Sequence, residues 1–270
     1  MAAPVFQSWG AYAARLTAGA PAPPGAPASI GQGDILLLGI EDQGNDATTG
    51  LPTVSGGTET WTEHPSSPQF SSGATRLHVY WARASQASPT MPDIGGGVNH
   101  TFSVVARFTG GAPSGNPFGT NEYAGGSNAA ANGTVPGFTV GGADRLCVFL
   151  ASTGFNGTNS TRFSAWAENT TSVLSSITEI HDQTDTVGGG GGFGAATALI
   201  TSGGTTSGMD FTEAFAGHGM ISVALLSSAV NATATPSTVA AVASVPSVTI
   251  SAEQVPPSLV MAPYVIPGKA

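Results

Sequence analysis

The strongest constraint on the fold is a short apolar run at residues 33–41, Gly-Asp-Ile-Leu-Leu-Leu-Gly-Ile-Glu. Five of these nine residues are large and aliphatic, and a polar loop follows at residues 42–46. An apolar run between turn residues indicates a strand that is buried on both faces, although the pattern alone also fits a segment of buried helix. The short length and the flanking glycines favour the strand.

The same pattern returns at residues 141–150, Gly-Gly-Ala-Asp-Arg-Leu-Cys-Val-Phe-Leu. Glycine and aspartate again precede an apolar run, and a small polar loop follows. We interpret the two runs as the central strands of two related halves, residues 30–110 and 141–228. Cys147 lies inside the second strand, so it is predicted to be a buried small hydrophobic residue and not a nucleophile.

The composition favours strands and turns over helices. The 270 residues include 38 glycines and 19 prolines, and only 9% are charged. About ten strand candidates at roughly ten-residue spacing predict an all-β fold, an antiparallel two-sheet sandwich with a jelly-roll-like arrangement. At residues 76–83, Leu77, Val79 and Trp81 share one face, which indicates a strand with that face in the core.

The chain divides into three predicted regions. Residues 1–29 form an N-terminal arm and a proline-rich connector, whose aromatic residues either make an edge strand or dock on a neighbour. Residues 30–228 form the sandwich. Residues 110–140 are expected to be an irregular link between its halves, and the glycine run at 188–192 is expected to be a flexible tip.

Residues 229–270 form the third region, and their composition differs from that of the body. Pro-Ser pairs recur at 236, 246 and 257, and Glu253 and Lys269 are the only charged residues. The prolines exclude a continuous helix or a central strand, yet the segment is too apolar for a solvated tail. We therefore predict an extended C-terminal arm that buries its apolar side against another chain; packing on its own domain is the alternative. The predicted assembly residues are Val239, Val242, Val245, Val248, Ile250 and Val260.

The charge balance excludes several partner classes. The net charge is −9, with six arginines and one lysine, so no basic cluster exists to bind nucleic acid or an anionic membrane. The sequence contains no apolar run of about 18 residues, so we predict no membrane insertion. The N-terminus lacks the basic and apolar regions of a secretory signal, so we expect synthesis and folding in a cytoplasm.

No catalytic motif is found. The five histidines stand in none of the common hydrolase or metalloenzyme motifs, so we predict no enzyme activity, no catalytic residues and no cofactor. Residues 41–46 and 181–185 are the densest polar clusters. Asp42, Asn45 and Asp46 are candidate ligands for a hard cation, but the same residues also suit a simple turn after a strand. The tryptophans Trp61, Trp81 and Trp166 are predicted to pack in the core.

Four motifs in order carry a resemblance to a known family. They are Gly-Asp-Ile-Leu-Leu-Leu at 33–38, Trp-Thr at 61–62, Arg-Leu-His-Val-Tyr-Trp-Ala-Arg-Ala at 76–84 and Phe-Ser-Val-Val-Ala-Arg-Phe-Thr-Gly at 102–110. Together with the Pro/Val/Ala/Thr-rich segment at 239–250, they resemble β-sandwich virion proteins of tailed bacteriophages, and most closely the minor tail proteins of phages that infect actinobacteria. The resemblance implies a non-enzymatic structural role in a symmetric, often trimeric, assembly.

The resulting hypothesis is a structural protein of the phage tail or tail tip, made in the host cytoplasm and carried in the virion. Its expected partners are other virion proteins and further copies of itself, with a trimer favoured. Exposed loops could add attachment to a host-surface glycan. A capsid decoration protein is the first alternative, and a carbohydrate-binding module is the second.

Overall fold

The computed structural model describes residues 2–17, 19–44, 48–71, 75–170, 173–200 and 202–228. Within these ranges the chain forms β-strands and no helix, which confirms the predicted all-β class. The described residues belong to one compact body. The predicted arm at 229–270 lies outside the described residues.

The first half of the chain forms one antiparallel sheet and a separate strand pair. Its strands are β1 (Val5–Trp9), β2 (Ala13–Leu16), β3 (Ile35–Asp42), β4 (Pro52–Ser55), β5 (Thr62–Glu63), β6 (Gln69–Ser71), β7 (Thr75–Arg83), β8 (Asp93–Gly96) and β9 (His100–Thr109). The first sheet has the order β1-β9-β3-β7-β5, with β2 added on β9 and β6 on β7, while β4 pairs with β8. The N-terminal aromatic segment is therefore an edge strand of the body.

The second half forms its own antiparallel sheet. Its strands are β10 (Phe118–Asn128), β11 (Gly133–Val135), β12 (Thr139–Val140), β13 (Arg145–Thr153), β14 (Ser164–Glu168), β15 (Leu174–Asp185), β16 (Gly191–Ile200), β17 (Gly204–Thr205), β18 (Met209–Thr212) and β19 (His218–Leu225). The second sheet has the order β10-β19-β13-β16-β15, and a small sheet β11-β18-β14 and the pair β12-β17 accompany it. Because each sheet comes from one half of the chain, this order does not confirm the jelly-roll-like detail.

The two sheets repeat one topology. In each half the first strand pairs with the last, the last with the central strand, and the central strand with the strand next to the outer edge. A further antiparallel pair, β4-β8 in the first half and β14-β18 in the second, is drawn from the same two connections in each half. A duplication would produce this correspondence, while common descent of the halves stays a prediction.

Three apolar clusters hold these layers together. The largest joins the facing sides of the two sheets, from Leu37 and Phe102 on one side to Val148 and Phe193 on the other. A second covers the outer face of the second sheet with residues of β11 and β18, and a third covers the outer face of the first sheet with residues of β4 and β8. As a result β3 and β13 are buried at every position, as the two apolar runs predicted.

Two expectations about individual segments are wrong. Residues 110–140 are not an irregular link, since they contain β10, an eleven-residue edge strand of the second sheet. In β7 the face of Leu77 and Val79 lies in the core as predicted, but the opposite face is covered as well and buries Arg76 and His78. The alternating sequence of β7 indicated one apolar face and one polar face. Only the structure shows that an outer layer covers the polar face, so that neither face is exposed to water.

Gly39 sets the spacing between the sheets at the centre of β3. A Cβ added at this position would lie 2.5 Å from Cζ of Phe193 on the opposite sheet. We predict that Gly39→Ala lowers the free energy of unfolding by about 1–3 kcal/mol, because the added methyl overpacks a closed core. Gly31→Ala is the control, since its Cβ would lie 3.5 Å from the nearest atom of Asp34. Equal stability of the two variants in urea titrations would contradict this account.

Candidate functional site

Strand β3 ends in a polar cluster that lies between the two sheets. Thr75 Oγ1 donates a hydrogen bond of 2.8 Å to Glu41 Oε1, and His100 Nε2 lies 2.9 Å from Glu41 Oε2. All three side chains are buried. Both carboxylate oxygens of Glu41 are therefore engaged by side chains of the neighbouring strands β7 and β9.

The glycine run at 188–192 closes this cluster. A Cβ on Gly191 would lie 2.0 Å from Glu41 Oε2 and 2.5 Å from His100 Nε2, so only glycine lets the backbone approach the pair. At Gly190, φ is +77°, and a Cβ there would lie 2.2 Å from Cα of Asn156. The run was expected to be a flexible tip; instead it is a closely packed turn between β15 and β16 that seals a buried ion pair.

Burial and pairing act in opposite directions on these two groups. Burial raises the pKa of Glu41 to about 7, against the lowering effect of its hydrogen bonds with His100 and Thr75. Burial acts to lower the pKa of His100, but the hydrogen bond to Glu41 and the charges of Glu41, Asp42 and Asp185 outweigh it and leave that pKa raised. Both groups thus hold protons more tightly in the folded protein than in the unfolded chain.

The first candidate cation ligand, Asp42, faces the opposite side of the first sheet and is already paired. Arg76 Nε donates to Asp42 Oδ1 at 2.8 Å and Arg76 Nη2 to Oδ2 at 2.6 Å, with both side chains fully buried. The backbone N–H of Val98 adds a third hydrogen bond of 3.2 Å. A cation at this loop would have to compete with Arg76 for the carboxylate. Asn45 and Asp46 lie outside the described residues, so the cation site stays a prediction.

A third buried cluster lies around Glu213 in the second half. Arg162 pairs with Glu213, whose Oε2 also accepts a hydrogen bond of 2.9 Å from the backbone of Phe215. His218 donates from Nδ1 to the carbonyl of Ser152 at 2.9 Å, and burial lowers the pKa of its ring. The Glu213 cluster therefore lies where the ends of β13 and β19 meet, and its side chains bind one another and the neighbouring backbone.

All six arginines bind groups of the body itself. Arg76, Arg107, Arg145 and Arg162 pair with acidic side chains. The remaining two donate only to backbone carbonyls, Arg15 to four of them and Arg83 to those of Gly33 and Gly115. The arginines therefore serve the internal architecture and form no basic surface for an anionic partner.

The second polar cluster of the sequence, residues 181–185, is part of the edge strand β15 and not a turn. The ring of His181 lies between Trp9 and Phe193, with centroid distances of 4.6 and 4.9 Å. Burial lowers the pKa of His181 to about 3. Over the ranges that the structure describes, no three His, Cys, Asp or Glu side chains are grouped as a metal site would require.

An apolar groove opens on one side of the sandwich, between the edge strands β1 and β15. Its volume is about 280 Å³. Leu146, Leu199 and Ile180 supply apolar side chains within it, and the remaining lining residues are Pro4, Val5, Phe6, Ser176, Thr178 and Thr197. The lining contains no charged residue, and Val5 is 53% exposed.

Aromatic rings occupy the equivalent side of the repeat. There, between β5 and β10, the ring of His64 packs against Phe118 and Tyr123 at centroid distances of 4.7 and 4.8 Å. Trp81 lies 6.0 Å from the same Phe118. Since the two sides occupy matching places in the repeated topology, the groove at β1 and β15 is a departure from the pattern and is our candidate functional site.

Several sequence predictions are confirmed. The groove, in contrast, was not predicted from the sequence. Trp61, Trp81 and Trp166 each pack against an apolar cluster, and Cys147 is buried with its thiol pKa raised by burial to about 12. The predicted assembly residues, Val239, Val242, Val245, Val248, Ile250 and Val260, lie outside the described residues. The groove combines segments that are about 140 to 190 residues apart in sequence, and no local pattern marks it. No helix able to cross a membrane occurs in the described part of the chain.

Removing the guanidinium of Arg76 would take from the buried Asp42 carboxylate its charged partner and leave it the backbone N–H of Val98. We predict that Arg76→Met lowers the free energy of unfolding by about 3–5 kcal/mol, and that adding Asp42→Leu recovers part of the loss. Arg83→Met is the control, because this less buried arginine bonds only to carbonyls and should cost about 1 kcal/mol or less. Chemical denaturation of the four proteins tests this; equal losses at Arg76 and Arg83 would contradict it.

The Glu41–His100 pair predicts a specific pH dependence. Because the folded-state pKa of Glu41 is raised to about 7, its contribution to stability is complete below its unfolded pKa and is lost as pH rises through 7. We expect Glu41→Gln to gain stability relative to the wild type between pH 4.5 and 7.5, by on the order of 1–3 kcal/mol.

Glu63→Gln provides the control with the opposite sign. Burial acts to raise the pKa of Glu63, but its hydrogen bonds to His78 and Ser67 outweigh burial and lower that pKa. Glu63 therefore contributes stability above its unfolded pKa that is lost as pH falls. Urea titrations at four pH values compare the variants, and a flat difference between Glu41→Gln and wild type would disprove the assignment.

Comparison of this chain with models of protein families, with curated proteins and with solved structures finds no match in any of the three. The functional interpretation therefore depends on the residues and the geometry of the body described above.

Proposed function

We propose that this protein is a structural component of a bacteriophage virion, a minor tail or tail-tip protein that acts without catalysis. In this proposal the body formed by the two packed sheets is rigid. The apolar segment at 229–270 holds this body to neighbouring virion proteins and to further copies of itself, with a trimer favoured. Attachment to a host-surface glycan is an additional role of the exposed loops.

The observation that carries the proposal is that the arginines and several acidic side chains bind groups within the body. All six arginines bind groups of the body, and the acids Glu41, Asp42 and Glu213 are buried with partners of their own. An enzyme needs titratable groups that open into a cleft, whereas these clusters are closed by packed backbone such as Gly191. Closed ionic clusters and apolar layers favour a rigid building block.

The scarcity of charge supports the same conclusion from the surface. Only 9% of the residues are charged, and a low surface charge promotes association. A protein with such a surface is suited to being covered by neighbours in an assembly. The C-terminal segment, with two charged residues, extends this property to the end of the chain.

Deletion of residues 229–270 tests the proposal in phage particles. We predict that incorporation of the shortened chain falls by roughly tenfold or more. The deletion removes the anchoring contacts, and a loss of about 1.4 kcal/mol of binding free energy already lowers affinity tenfold. Quantitative mass spectrometry of purified particles measures incorporation, and the unfolding transition of the shortened protein checks that the body is intact.

A chain in which 229–270 is replaced by a Gly/Ser linker of equal length is the matched control. It should fail like the deletion, because the linker keeps the length but lacks the apolar side chains. Normal incorporation of either variant would count against the proposal. Electron microscopy of labelled particles then separates a tail position from capsid decoration.

A further inference from the structure

We propose that the groove between β1 and β15 receives the apolar C-terminal segment of a second copy of this chain, centred on residues 236–250. The inference rests on the proposed function, in which copies associate, and adds the acceptor site and its partner. It is carried by the shape and chemistry of the groove, by its place at two sheet edges and by the point at which the chain leaves the body.

The chemistry of the groove matches that segment. Apolar groups of Leu146, Ile180 and Leu199 combine with the hydroxyl groups of Ser176, Thr178 and Thr197. Residues 236–250 contain valine, alanine, proline, serine and threonine with a single isoleucine, and no charged residue. Because neither partner carries charge, no ion is stripped of water when they meet, and apolar burial drives association.

The two walls of the groove are edge strands, which offer unpaired backbone groups to an extended peptide. Strand β1 pairs with β9 on one side, and β15 pairs with β16 on one side. In β15 two irregularities, at Ser175/Thr178 and at Glu179/His181, interrupt the ladder beside the groove. Such bulges prevent indiscriminate strand addition, so an occupant must also fill the apolar groove to bind.

The end of the described chain lies at the mouth of the groove. Ser228 N donates a 3.0 Å hydrogen bond to the carbonyl of Gly110, and a Cβ on Gly110 would lie 3.8 Å from Cα of Pro4 in the groove wall. Seven residues lie between Ser228 and Pro236, so eight Cα–Cα steps join the two and span at most about 29 Å. In the proposal, this length of chain carries the apolar repeats of one copy to the groove of a second copy.

This arrangement explains why one side of the repeat is open. His64, Phe118 and Tyr123 close the equivalent side within the chain, whereas at β1 and β15 the space is left for another molecule. Each copy then offers one groove and one segment. A head-to-tail contact of this kind closes into a ring when its rotation permits, which is consistent with the favoured trimer.

Self-association of the purified full-length protein tests the acceptor site. We expect Thr178→Asp, which places a charge in the groove at an exposed position, to weaken self-association at least tenfold in analytical ultracentrifugation, with an unchanged unfolding transition. Leu16→Asp is the control, since Leu16 is 53% exposed and does not line the groove. Equal weakening by both substitutions, or none by Thr178→Asp, would overturn the proposal.

A crosslinking experiment identifies the occupant. A photoreactive p-benzoylphenylalanine replaces Thr178 in unlabelled chains, which are mixed with ¹⁵N-labelled wild-type chains. We expect crosslinks to labelled peptides from residues 236–260. Crosslinks confined to the chain that carries the probe, or to other regions, would overturn the proposal.

The two proposals can fail separately. If Thr178→Asp associates like the wild type while the 229–270 deletion still loses incorporation into particles, the groove assignment is wrong and the virion role stands. If the deletion is incorporated normally, the virion role fails whatever the groove variants do.

Discussion

Burial of both faces of the two central strands is the constraint on which the rest of this structure depends. Strands β3 and β13 are covered on their inner faces by each other's sheets and on their outer faces by small antiparallel layers. A slip of one residue would exchange the side chains that face the two layers, so close packing on both faces fixes the register of each strand. The four-layer arrangement follows from having two such strands in one chain.

The buried charged side chains lie at the ends of strands in these packed layers. The Glu41, Asp42 and Glu213 clusters lie at ends of strands, where side chains of neighbouring strands converge on one carboxylate. Each cluster is closed by backbone or by aromatic rings, so its acids and bases are structural. The Glu41–His100 pair lies at the contact between the two sheets, because Gly191 of the second sheet packs directly on this pair of the first.

The repeated topology also shows where the two halves of the protein differ. Two equivalent sides exist between sheet edges; aromatic rings fill one, and the other is an uncharged groove next to the point where the chain leaves the body. A structural protein of an assembly needs a rigid body and a few contacts that only a neighbour can complete. The groove and the apolar segment together meet that requirement in the proposed virion role.

The sequence by itself determined the all-β class, the two fully buried strands, the core position of Leu77 and Val79, and the burial of Cys147. These features are local, since hydrophobic period and run length act within a few residues. Only the tertiary structure decided that β10 lies in the supposed link, that the Gly188–Gly192 run is packed, and that Glu41 meets His100 across 59 positions. Ion pairs and the groove depend on strand order, and strand order is set by how distant segments cover one another's apolar faces, which no local pattern records.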